Sequence, residues 1–160
     1  MKPAVPVPRR DVVRRMLPDV SMTVADGRVF ATGDYRHRKH LVLILFPEPP
    51  GAAGIPHLSS LSSRYEEFTM ENAEILAVLP AFPPGSSARG GHPFPVFEDR
   101  EGTLRDALSG KPAAGMSCPT VYVADRYGEI FRSLEVPGGD PFPLEEVLSW
   151  LRFLERLCPE

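Results

Sequence analysis

Sulfur and imidazole are the side chains best suited to covalent, redox or metal chemistry near neutral pH. This chain of 160 residues has two cysteines and four histidines. Cys118 and Cys158 are forty residues apart and form no Cys-x-x-Cys pair, so a one-motif dithiol exchange has no site. Cys118 is the candidate nucleophile, with a small buried core residue as its rival role. Cys158, two residues from the end, is expected to be exposed or packed on the last helix, and nothing supports a disulfide between the two. His57 could pair with Cys118 as an imidazolium–thiolate couple; its plainer role is a surface histidine in the first turn of a helix. Two such ligands are too few for structural zinc, so no metal is expected. His37-x-x-His40 sits among Arg36, Arg38 and Lys39, where positive charge repels a cation, and reads as a solvated turn. Gly51-x-x-Gly54 lacks the Gly-Lys-Ser/Thr of a phosphate loop, and no cofactor is expected.

The length suits one domain, and 42% hydrophobic with 24% charged residues excludes wholesale disorder. The longest apolar run, 41–46, is far short of the roughly 20 residues of a membrane helix. No signal-peptide stretch opens the sequence, which points to a cytoplasmic protein with no membrane role. Residues 1–40 carry nine Lys/Arg against four Asp, within a chain of net charge −3. The basic arm Arg9, Arg10, Arg14 and Arg15 has no interleaved aromatics and no helix-turn-helix pattern, so no nucleic-acid partner is expected.

Periodicity supplies the order of elements. Pro3, Pro6 and Pro8 mark an extended arm, and Val12, Val13, Met16 and Leu17 have the spacing of a short helical turn, giving an arm at 1–18 ahead of a domain at 19–160. Residues 20–24 and 29–31 around Asp26-Gly27 form a β-hairpin. The run 41–46 is a central strand buried on both faces. Leu58, Leu61, Tyr65 and Phe68 define one helix over about 57–70, and 74–79 is the next buried strand, a βαβ unit. A Pro/Gly/Ser-rich loop at 80–95 leads to a short strand at 95–97 and a short helix over 99–109. Strands at 120–124 and 129–134 flank the turn Asp125-Arg126-Tyr127-Gly128, and Asp140 caps a last helix with core positions Leu144, Val147, Leu148, Leu151 and Leu154.

Val24-Ala25-Asp26-Gly27-Arg28-Val29, Asp34-Tyr35-Arg36-His37-Arg38, Pro95-Val96-Phe97-Glu98-Asp99-Arg100-Glu101-Gly102 and Cys118-Pro119-Thr120 through Asp125-Arg126-Tyr127-Gly128-Glu129-Ile130 occur in an order that resembles the thioredoxin-like superfamily, in its peroxiredoxin or AhpC/TSA (redoxin) branch. The resemblance runs from about Leu17 to Leu157. It implies an α/β thioredoxin-like sandwich: a central mixed sheet flanked by helices, with an N-terminal β-hairpin. It also implies a cis bond before Pro119, beside the active site.

The same resemblance places the family's working cysteine at the N-terminus of the first helix, where N–H groups and the helix dipole stabilise a thiolate. Here that stretch reads Gly51-Ala52-Ala53-Gly54-Ile55-Pro56-His57, with Gly51 and Gly54 where a Cys-x-x-Cys pair would stand. The peroxide-binding arginine of peroxiredoxins is replaced near Pro119. The expectation is a redox-inactive domain that holds a protein or peptide segment in a groove of Gly51, Ala52, Ala53, Gly54, His57, Cys118, Pro119 and Thr120, the strand beside Pro119 offering unpaired backbone for strand addition. The alternative is a thiol-dependent oxidoreductase or peroxidase working through Cys118. A third reading is a homodimer meeting through the helix that begins near Pro56 and the loop at 80–95.

Overall fold

The computed structural model describes residues 15–24, 28–47, 55–81, 92–109 and 118–157. Its strands are β1 (Arg15–Met16), β2 (Ser21–Val24), β3 (Val29–Ala31), β4 (His40–Leu45), β5 (Ala73–Leu79), β6 (Val96–Glu98), β7 (Thr120–Ala124) and β8 (Glu129–Glu135). Its α-helices are α1 (Ile55–Ser63), α2 (Tyr65–Met70), α3 (Thr103–Ser109) and α4 (Leu144–Leu157). The strands form one mixed sheet in the order β1-β8-β7-β4-β5-β6-β2-β3. β4 is parallel to β5 and antiparallel to β7, so it lies mid-sheet, and all six of its residues are buried.

Alternation along the strands makes two cores. Val42, Ile44, Ile75, Ala77, Val121 and Val123 face Leu58 and Leu61 of α1, Phe68 of α2, and Val147, Leu148 and Leu151 of α4. Leu41, Leu43, Leu76, Val78 and Tyr122 face the other way, onto Leu104 and Leu108 of α3 with Leu17 and Met22. The expected sandwich and its hairpin are therefore present, with α1, α2 and α4 on one face of the sheet and α3 on the other.

Three local expectations need correction. The helix over 57–70 is two helices separated at Arg64, whose ψ is 17°. Ser62 Oγ donates to the Leu58 carbonyl and Ser63 Oγ to that of Ser60, and such back-bonding bends and ends helical turns. Arg15–Met16 pairs with Glu129–Ile130 as a strand rather than continuing a helical turn, held by Leu17 N–H to the Gly128 carbonyl at 2.7 Å. Residues 1–14, the rest of the arm, lie outside the described residues. Asp140 does not cap α4, which begins at Leu144; the Pro143 carbonyl accepts from Val147 N–H at 3.1 Å. Pro141 and Pro143 each bias the residue before them toward extended backbone, which delays the helix.

The turn between β7 and β8 is built by Asp125, whose Oδ1 accepts from Tyr127 N–H and Glu129 N–H, each at 2.9 Å. Gly128 closes it at φ +88°, and a Cβ there would lie 3.3 Å from the Arg36 guanidinium. Gly128→Ala is accordingly expected to cost about 1–2 kcal/mol of unfolding free energy, read by denaturant titration. A change within a few tenths would contradict the strain assigned to this turn.

Candidate functional site

The sheet end at which β4 finishes is where the sequence places its groove. Leu45, the last residue of β4, pairs with Thr120, the first of β7, and α1 begins ten residues further on at Ile55. Gly51, Ala52, Ala53 and Gly54 lie outside the described residues, immediately before that helix. His57, Cys118, Pro119 and Thr120 are described.

His57 is not the surface histidine of the sequence reading. It is 8% exposed, and its ring centroid lies 6.2 Å from that of Phe142. Burial pushes its imidazole below the ordinary histidine range, so near neutral pH it is an uncharged ring, not a cation for a thiolate. Cys118 is a free, partly buried thiol just before Pro119. No peptide bond among the described residues is cis, so the Cys118–Pro119 bond is trans, against the expectation from the resemblance. The Pro119 carbonyl accepts from Val136 N–H at 2.9 Å, which runs the backbone straight into β7.

This geometry also corrects the idea of strand addition. Thr120 already pairs with Leu45 on one side and with Glu135 on the other. β7 is an interior strand, so no open backbone edge is offered there. Phe142, 6% exposed and set between Pro141 and Pro143, packs against His57 beneath this end of the sheet. The sequence reading does not single out Phe142, although an aromatic between two prolines is a signal of a fixed loop.

Two further histidines are tied into the fold. His92 Nδ1 lies 2.7 Å from Ser62 Oγ, and its ring stacks on Phe94 at 5.2 Å, tying the stretch before β6 to α1. His40, expected in a solvated turn with His37, is fully buried. It opens β4, its Nδ1 accepts from Arg126 N–H at 3.1 Å, and its Nε2 lies 2.8 Å from Glu155 Oε1. Because Nδ1 is the acceptor, the proton is on Nε2 and points at the carboxylate. His37 is exposed as expected. Among the described residues no group of three His, Cys, Asp or Glu is placed to hold a metal ion, and no helix is long and apolar enough to cross a membrane.

An interior parallel β4–β5 pair, a β7–β8 hairpin against β4, and helices on both faces define a thioredoxin-like α/β domain. Residues 13–133 match the AhpC/TSA family, and the chain belongs to that family. It is similar in structure to Mycobacterium bovis AhpC, with 18% identity and a TM-score of 0.73, covering 93% of this chain and 96% of that one. Plasmodium yoelii thioredoxin peroxidase I superposes with a TM-score of 0.74 at 13% identity, covering 92% of this chain and 97% of that one. Mycobacterium tuberculosis AhpC gives 0.73 at 18%, covering 92% and 96%. No curated protein matches. At these identities the structures share the fold, and the activity must be argued from this chain's own residues.

Proposed function

We propose that this chain is a redox-inactive member of its family that holds a segment of a protein or peptide in the groove formed by Gly51, Ala52, Ala53, Gly54, His57, Cys118, Pro119 and Thr120. One observation carries the reading. The stretch that opens directly into α1, where the resemblance puts the reactive cysteine, reads Gly-Ala-Ala-Gly and contains no sulfur. Peroxide reduction requires a thiolate to take one oxygen from the peroxide and release the alcohol or water, and that nucleophile is missing from the helix start. His57, uncharged through burial, adds no cation there. The small residue types of Gly51, Ala52, Ala53 and Gly54 offer little bulk against a partner's side chain.

The reading is tested with peptides selected from a displayed random library against the full chain. Gly54→Trp, and separately His57→Ala with its fold verified by circular dichroism, are each expected to weaken the selected peptides roughly tenfold or more. Failure to select any peptide above background, or equal binding by both variants, would reject the groove.

A second reading has one observation in its favour. Cys118 is a free thiol, not wholly buried, at the same end of the sheet. A one-cysteine oxidoreductase would work through it, and Cys118→Ser would then abolish turnover.

A further inference from the structure

At the opposite end of β4, an open surface pocket of about 400 Å³ is lined by Phe30, Asp34, Tyr35, Arg38 and Lys39. That volume is within the usual range of small-molecule sites. The chain builds this place firmly. Residues 32–35 form a single 3-10 turn, His37 takes a left-handed φ of 66°, and its N–H donates to the Arg126 carbonyl at 2.6 Å. Arg38 N–H and Lys39 N–H both donate to the Tyr35 carbonyl, at 3.0 and 3.1 Å. The turn is thereby fixed to the β7–β8 turn and presents its two cations from a rigid base.

The charges on this wall are unbalanced. Neither Arg38 nor Lys39 has a carboxylate partner among the described residues. Asp34 is committed in part, its Oδ2 accepting from Ala31 N–H at 2.9 Å. Burial, followed by Glu74 and Asp34, pushes the Tyr35 phenol up to about 12, so it remains a neutral donor. Arg38 and Lys39 outnumber Asp34, the one carboxylate among the described residues that line this pocket, and that excess of positive charge favours an anion. The remaining lining residue is Phe30, whose ring meets Phe97 edge-on at 6.2 Å and has the Arg28 guanidinium 5.6 Å from its centre.

We infer that this pocket binds a small organic phosphate carrying a planar ring, of the nucleoside monophosphate class, with Arg38, Lys39 and the Tyr35 hydroxyl taking the phosphate and Phe30 taking the ring. Three donor groups suit the three terminal oxygens of a phosphate monoester, and the guanidinium fork can hold two of them. The site is independent of the groove beyond Leu45, and the two readings stand or fall separately.

Isothermal titration calorimetry of the full chain with adenosine monophosphate tests it. Saturable binding is expected, weakening as salt rises, with adenosine and inorganic phosphate each roughly tenfold weaker or more. Arg38→Gln with Lys39→Gln changes a solvent-facing turn and is expected to lose roughly tenfold or more in affinity without altering the circular dichroism spectrum. The inference is overturned by absence of saturable binding, by equal affinity in the double variant, or by phosphate alone binding as tightly as the nucleotide.

Discussion

Glu155→Ala is expected to lower the unfolding free energy by about 2–4 kcal/mol, measured by denaturant titration at neutral pH. Glu155 Oε1 is shared by His40 Nε2 at 2.8 Å and an Arg126 guanidinium nitrogen at 2.7 Å. His40 is wholly buried and Arg126 almost so, whereas Glu155 keeps 32% of its side chain in water. Removing the carboxylate leaves an arginine charge and an imidazole N–H unpaired in the interior, where the Arg126 Nε–H is already unsatisfied. The partial exposure of Glu155 lets water replace some of the loss, which keeps the figure below that of a fully buried pair. The three residues also tie α4 to the start of β4 and to the β7–β8 turn, so the effect extends beyond one contact. Arg132–Glu146, at 3.2 Å with both side chains more than 40% exposed, is the control: Glu146→Ala is expected to cost under about 1 kcal/mol. Equal costs for the two variants would contradict the structural role assigned to the buried trio.

Acid is expected to destabilise the fold below about pH 6.5, the ordinary histidine value. Burial is the leading cause that lowers His40, His57 and His92 in the folded chain; at His40 Arg126 adds to it, while Glu155 and Asp125 oppose it. Each is therefore protonated more readily when unfolded than when folded. Between the folded and unfolded values the unfolded chain binds more protons, so stability rises with pH through that window. The contribution is complete above about pH 6.5 and is lost as pH falls toward the folded-state values. At His40 the mechanism is visible: a second ring proton on Nδ1 would face Arg126 N–H, donor against donor. Denaturation midpoints at pH 7.5 and pH 5.5 (about these values) should differ in favour of the higher, and His92→Gln should flatten the slope by up to one proton. Midpoints that stay level or rise on acidification would contradict the burial of these rings.

The fold was legible where burial writes a continuous pattern. Residues 41–46, 75–79 and 121–124 are apolar in succession because β4, β5 and β7 have covered faces and paired edges. The helix face Leu58, Leu61 and Phe68 was also legible, but not its interruption, since the two serines that end α1 act through hydrogen bonds rather than hydrophobicity. His40 was misread because its neighbours in sequence are exposed cations, while the partners that bury it, Arg126 and Glu155, are 86 and 115 residues away. That the stretch 51–54 ahead of α1 carries no sulfur can be read from residue types alone. The closed edges of β7 cannot, because they follow from pairing on both sides of the strand. Phe142 escaped for the same reason: its contact with His57 is purely tertiary.

The most direct measurement is hydrogen peroxide consumption by the full chain supplied with a small dithiol reductant, run beside Cys118→Ser. The expected result is no turnover above the reductant alone, identical in the two proteins, as befits a helix start without sulfur. Saturable peroxide consumption that disappears in Cys118→Ser would contradict a redox-inactive groove and establish Cys118 as the working nucleophile.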